Sequence, residues 1–311
     1  MGQKVNPNIL RLGVSNKWKT EFFEKKTKEF SYFTFLDLEI KSYIEKFLNH
    51  YGLILHDYRI HYNNSVINIF ISYAITANFK FSSTKRLKKK INIIKFDKKI
   101  SAKQKNLTYI KTKNYTDIKK NYLKNFKNDS LKNRKIENTI TKFLEGLALF
   151  KNLKNRIFLN FECINKNFNL NLKQKKSLKK KMMTIQKFRS ASFFESGVNI
   201  MFLTVLRQNS AKLLSKFIAI ELKKVKRHKF FMTFLKKTLS IFLHSNFSKV
   251  LGIKIKIKGR LNGAPRAKHK IIDIGNVPVQ TISNNVDYAE SAVHNSNGSY
   301  GIKVHIIYKN I

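Results

Sequence analysis

Apolar residues at Leu36, Ile40, Tyr43, Ile44, Phe47, Leu48 and Tyr51 keep the three-to-four spacing of one helix face. Thr34 with Asp37 has the form of a capping box at its start, and Gly52 is placed to end it. Two apolar runs follow, 53–60 and 66–72, and Asn63-Asn64 between them predicts a β-hairpin. Helical spacing returns at Ile140, Phe143, Leu144 and Leu147, and a strand-like run covers 156–164. Farther on, two helices are predicted near 202–223 and 229–245. In the last part, Ile253, Ile255 and Ile257 alternate with Lys254, Lys256 and Lys258. Ile302, Val304, Ile306 and Tyr308 alternate in the same way with Lys303, His305 and Lys309. Each strand therefore turns one face to a core and sets a row of cations on the other. The order of elements is that of an α+β chain.

Charge changes this picture most. The 311 residues hold 63 Lys and Arg against 18 Asp and Glu, a formal net charge of +45. Such self-repulsion is expected when a polyanion neutralises it. Residues 80–135 carry 20 Lys and Arg against three acids, a net of +17, with no sustained apolar face. Residues 166–189 add nine cations and no acid. Apolar residues still make up 42%, enough for a sizeable core. Nucleic acid is the leading partner. Trp18, the single Trp, is assigned to a small local core, and Met182 and Met183 to local packing.

The one cysteine, Cys163, excludes an internal disulfide framework and multi-cysteine zinc sites, and the eight His show no ligand spacing. No metal or other cofactor is expected. No apolar window reaches the length of a membrane span, and the N-terminus has neither a signal peptide's apolar stretch nor an import presequence. The bias toward Lys, Asn, Ile and Phe suggests an A/T-rich genome.

Particular blocks go further. Met1-Gly2-Gln3-Lys4-Val5-Asn6-Pro7-Asn8 with Arg11-Leu12-Gly13, the run GIKIKIKGRLNGAPRAKH at 252–269, GNVPVQT at 275–281 and NNVDYAESAVHNSNGSYGIKVHIIYK at 284–309 resemble the small-subunit ribosomal protein S-three family. They lie in the family's order at opposite ends and cover about a third of the chain. The resemblance implies a divergent KH-like N-terminal domain of prokaryotic topology and a C-terminal α+β domain with helices on a mixed or antiparallel sheet. It divides the chain into an extension at 1–30, a KH-like domain at 31–165 with a basic insert at 76–135, a basic linker at 166–195 and the C-terminal domain at 196–311. It also implies a structural, non-enzymatic role in the head of the small subunit. There the protein would bind rRNA, help line the mRNA channel, and lie beside ribosomal proteins S-ten and S-fourteen.

The residues this assigns to rRNA are Gln3, Lys4, Asn6, Arg11, Lys254, Lys256, Lys258, Arg260, Arg266 and Lys268, with Arg260 foremost because Arg can grip phosphate bidentately. Gly263 is expected to serve backbone geometry. Arg227, Lys236 and Lys237 match basic positions along the mRNA channel, whereas Met232 and Thr233 stand where the family usually has an Arg pair. A second departure is the missing GXXG loop: residues 73–137 contain no Gly, and Gly298-x-x-Gly301 is read as a turn. The organelle expected first is the mitochondrion, in its matrix, with the plastid as the alternative.

Two other classes compete. An organellar intron maturase or homing endonuclease is suggested by LEGLALFKN at 144–152, but Leu149 and Lys151 occupy the acidic positions that metal-assisted cleavage needs. A membrane-surface protein would need a separate basic amphipathic helix, which the pattern lacks.

Overall fold

The computed structural model describes residues 5–63, 66–76, 141–143, 145–147, 156–165 and 171–309. The expected basic insert at 76–135 lies outside them except for Thr76. The chain opens with a short helix α1 (Pro7–Leu10), strand β1 (Thr20–Glu21) and helix α2 (Glu29–Tyr51). Next come β2 (Leu53–Tyr62), β3 (Val66–Ile75), helical residues at 141–143 and 145–147 and β4 (Arg156–Cys163). Helices α3 (Leu172–Met183), α4 (Phe194–Leu206), α5 (Ala211–Lys224) and α6 (His228–Leu243) follow. Strands β5 (Val250–Gly259), β6 (Lys268–Gly275), β7 (Val286–Asn295) and β8 (Gly298–Tyr308) complete it.

The first four strands form a mixed sheet in the order β1-β2-β3-β4, with β2 and β3 antiparallel and both outer pairs parallel. Helix α2 lays Leu36, Ile40, Ile44 and Leu48 on one face of that sheet, and Phe143 and Leu147 join the same core. The last four strands form a second sheet, β6-β5-β8-β7, antiparallel throughout. Ile253, Ile255, Ile257, Ile302, Val304 and Ile306 face α4, α5 and α6 in a second core. Ile54, Ala74 and Ile164, from one end of the first sheet's outer face, are buried in that second core.

Several expectations need correction. Helix α2 begins more than a turn before Thr34, so Thr34 and Asp37 do not cap it. The Thr34 hydroxyl instead donates to the Phe30 and Ser31 carbonyls inside the helix. At the start, the Glu29 carboxylate accepts from the Lys25 and Lys26 amides. Gly52 does end the helix, at φ 74°, a left-handed conformation that suits glycine. Trp18 is 65% exposed and belongs to no core. Part of the expected linker is a helix, α3, opened by a reciprocal Asn171–Gln174 capping box. Met182 packs against the second core, whereas Met183 is exposed. The single helix expected over 202–223 is two. The chain turns extended at Arg207, and Asn209 stands at φ 57° before α5 begins.

Helix α5 touches both sheets. Its first amide, at Ala211, donates to the Asp287 carboxylate of β7 at 2.6 Å. Lys212 and Lys216 pair with Glu45 of α2 at 3.2 and 2.8 Å, and Lys212 also lies 5.0 Å over the Tyr58 ring. Nearby, His56 Nδ1 meets the Ser72 hydroxyl and His56 Nε2 meets the Gln208 carbonyl. Burial lowers the His56 pKa to about 4, partly offset by Asp57 and the Gln208 carbonyl and reinforced by Lys19 and Arg207. Burial raises Asp287 to about 6, against the pull of the Ala211 amide and Lys19 and with a push from Asp57.

These two groups oppose each other. Folded His56 holds fewer protons than the unfolded chain between about pH 4 and 6.5, so its contribution rises with pH. Folded Asp287 holds more protons between 3.8 and about 6, so its contribution falls with pH. Relative to the unaltered protein, Asp287→Asn is therefore expected to gain stability as pH rises from about 4 to 6, and His56→Gln to lose it. The limiting slope is about 1.4 kcal/mol per pH unit. Urea unfolding across this range checks both, and parallel profiles for all three proteins would refute the assignment.

Candidate nucleic-acid interface

The junction between α5 and α6 holds the sequence KKVKRHK, five cations in seven residues. It forms one wall of an open cleft of about 1470 Å³. The other walls are the turn at 261–263 and the β7–β8 turn at 294–297. Lys223, Lys224, Lys226, Arg227 and Lys229 line it together with Phe230, Asn262 and His294.

Two polar ties fix the three segments. The Asn295 side-chain amide donates to the Leu222 carbonyl at 3.1 Å, holding the β7–β8 turn to the end of α5. His228 holds the other turn. Its backbone amide donates to the Asn262 side-chain oxygen at 3.0 Å, and its Nδ1 accepts from the Asn262 amide at 3.1 Å. Hydrogen bonds link the ring to the Leu222 and Val225 backbone, and the Tyr300 ring packs edge-on at 5.5 Å. Burial lowers the imidazole below its ordinary pKa, so it stands neutral with Nδ1 free to accept. Asn262 and Gly263 both take left-handed φ, 58° and 73°, which confirms the geometric need expected of Gly263.

Lys224 pairs with the buried Glu221 at 3.3 Å. Lys223, Lys226, Arg227 and Lys229 form no ion pair among the described residues. Four exposed cations with no acid to satisfy them, on a frame of hydrogen bonds, can take an extended anion without rearranging the backbone.

The residues assigned from sequence divide. Arg227 lines the cleft, while Lys236 and Lys237 are exposed farther along α6 and do not line it. Arg260 is exposed, its Nε donating to the Ala264 carbonyl at 3.0 Å, and its own carbonyl accepts from Tyr300. Arg266 and Lys268 are exposed. Lys256 and Lys258 lie on the outer sheet face without ion pairs among the described residues. Lys254 is held by Asp273 at 2.7 Å, and Lys303 by Glu290 at 2.9 Å. The lysine row is thus partly self-neutralised, because the neighbouring strands supply acids that alternation within one strand does not reveal. Gln3 and Lys4 lie outside the described residues.

Of the N-terminal residues assigned to RNA, Arg11 is turned inward and Asn6 stays exposed. Arg11 has no accessible surface, although it lies just beneath the exterior. Its guanidinium donates to the carbonyls of Pro7, Val279, Thr281 and Asn284 at 2.6–3.1 Å. Asn6 caps α1 by accepting from the Asn8 amide, and the Asn8 side chain donates to the Tyr288 carbonyl. This motif clips the N-terminus to the C-terminal sheet. The residues missed from sequence are Asn262 and His294–Asn297, which reach the cleft only through tertiary pairing. The basic run at 223–229 was visible, but as the end of a helix rather than a wall.

The class this defines is a basic α+β domain, helices on one face of an antiparallel sheet, with a cationic cleft at a helix junction. Residues 223–306 match the family model "Ribosomal protein S3, C-terminal domain". The family is structural and non-enzymatic. The chain is 37% identical over 94 residues to small ribosomal subunit protein uS3c of Guillardia theta, covering 30% of this chain and 41% of that one. It is 33% identical over 103 residues to uS3 of Neorickettsia sennetsu, covering 33% and 46%, and 48% identical over 59 residues to uS3c of Cyanidium caldarium, covering 19% and 28%. The chain thus spans between about a quarter and just under half of the length of the curated relatives it matches. Plastid-type proteins are prominent among them.

Arg11 and Arg227 should behave oppositely on substitution. Arg11→Met is expected to cost roughly 2–5 kcal/mol of stability, since four carbonyls lose a buried charged donor, and to leave RNA affinity intact below the melt. Arg227→Gln should leave the melt within ~0.5 kcal/mol and weaken RNA binding. Thermal unfolding paired with filter binding distinguishes them.

Proposed function

We propose that this protein is a structural, rRNA-binding constituent of the small ribosomal subunit in an organelle. The observation that carries the reading is the unpaired cation set of the cleft, built within the stretch that matches the family. Its mechanism is neutralisation of phosphates by Lys and Arg on a rigid surface, with release of counterions. Arg227 and the neighbouring cleft lysines contact RNA directly, and Arg260, Arg266, Lys268 and Lys258 extend the contact along the turn and the outer sheet face.

The protein sits in the head of the subunit, contributes Arg227, Lys236 and Lys237 to the mRNA channel, and adjoins ribosomal proteins S-ten and S-fourteen. Its first sheet with α2 and the helical residues at 141–143 and 145–147 forms a divergent KH-like domain within 31–165, flanked by the extension at 1–30 and followed by the C-terminal domain from 196. Without a GXXG loop, that domain does not clamp single strands in the usual KH manner. The plastid-type relatives favour a plastid ribosome over the mitochondrial matrix, which the compositional bias and long basic inserts suggested.

Sucrose-gradient fractionation of organelle lysate, with this protein followed by mass spectrometry, tests the assignment. Co-migration with the small subunit that is lost after ribonuclease is expected, and migration as free protein would overturn it. With the purified protein and a small-subunit rRNA fragment, Lys226→Gln and Arg227→Gln should each lower the slope of log affinity against log salt by about 1. An unchanged slope in both would remove the cleft from the interface.

A further inference from the structure

The cleft holds one feature that phosphate binding does not need. Phe230 lines it and is 40% exposed, although Phe231, Phe234 and Phe242 of the same helix are buried. One part of the Phe230 ring is held by packing, with Phe188 at 4.8 Å and Phe193 at 6.1 Å between ring centroids. Phe230 shares the lining of the cleft with Lys223, Lys226, Arg227 and Lys229. A fixed aromatic ring in the same cleft as several cations is the arrangement on which nucleobases stack while their phosphates are neutralised. Ser296 and Asn297, on the opposite turn, add polar groups suited to a base edge.

We propose that the cleft takes single-stranded RNA and stacks one unpaired base on Phe230. This rests on the RNA-binding reading above and deepens it. A duplex presents phosphates but no free base face, so the ring would add nothing to its binding. An acidic peptide would use the cations and leave the ring idle.

The single Trp of the chain, Trp18, permits a local test. A protein carrying Trp18→Phe and Phe230→Trp has its only indole in the cleft. Its emission should be quenched saturably by a single-stranded oligoadenylate of about eight nucleotides at near-physiological salt. A duplex of equal length, at concentrations where anisotropy shows it bound, should not quench, nor should polyglutamate. In the otherwise unaltered chain, Phe230→Ala should weaken single-strand binding about five-fold or more, with duplex binding and the salt slope unchanged. Phe230→Tyr, which keeps the ring, should restore it, and an unchanged melting transition in each variant separates binding from folding.

If the indole is not quenched by bound single strand while Lys226→Gln and Arg227→Gln still weaken binding, the stacking inference fails and the RNA cleft stands. Quenching by duplex or polyglutamate to the same extent also overturns it. If neither the ring nor the charge variants alter binding, the RNA reading of the cleft falls as well.

Discussion

Helix α5 must satisfy two sheets at once, and most of the architecture follows from how it does so. Its apolar face, with Leu213, Leu214, Phe217 and Ile218, is buried in the second core. Its flank reaches the first sheet's layer through Lys212, Lys216 and Glu45. Neither contact alone fixes the helix along its axis. The Asp287 carboxylate does that from the N-terminal end, accepting from Ala211 where the helix dipole favours an anion. Once that end is fixed, the last turn of α5 is fixed too. The Leu222 carbonyl then stands where Asn295 and His228 can bond to it. The cleft is thus positioned from the far end of a helix, through a charge that is costly to bury.

That cost makes sense of how charge is distributed. Residues 18–62 carry seven Lys and Arg and seven acids, a net of zero in a chain of +45. Residues 171–309 carry 28 cations and five acids. Of those five, Glu221, Asp273, Asp287 and Glu290 each bind a specific partner: Lys224, Lys254, the Ala211 amide and Lys303. Acids in the C-terminal part are spent on holding particular groups, which leaves the cations of the α5–α6 junction uncompensated. Self-repulsion there is tolerated because the frame beneath is neutral: an uncharged imidazole, side-chain amides and a tyrosine.

Periodicity read well wherever burial alone decides conformation. The stripe on α2, the hairpin strands expected at 53–60 and 66–72 and the alternating strands β5 and β8 were all legible because one face is wet and the other dry. Boundaries set by polar details were not. Asn209 in a left-handed conformation breaks what looks like one helix over 202–223, and nothing in the apolar spacing marks it. Helix α3 was read as a linker because its capping box, Asn171 with Gln174, precedes a run with no buried residue. The cleft was half legible. Its cations are contiguous in sequence, but Asn262 and the 294–297 turn arrive from strands dozens of residues away.

Arg11 shows why residue type is a weak guide to role in a strongly basic chain. With 63 cations, most are surface charges available to a polyanion, and an Arg within a recognisable motif invites the same reading. Yet a planar fork with five donors is also the side chain best able to satisfy several converging carbonyls. Four such carbonyls meet at Arg11, three of them from residues 279–284, a segment with no regular structure of its own to pair them. A lysine could not span that geometry with its single nitrogen. The N-terminal motif therefore acts on the interface at a distance. It orders the approach to β7, whose Asp287 fixes the start of α5, and so the clip at Arg11 and the cleft at Arg227 belong to one chain of constraints.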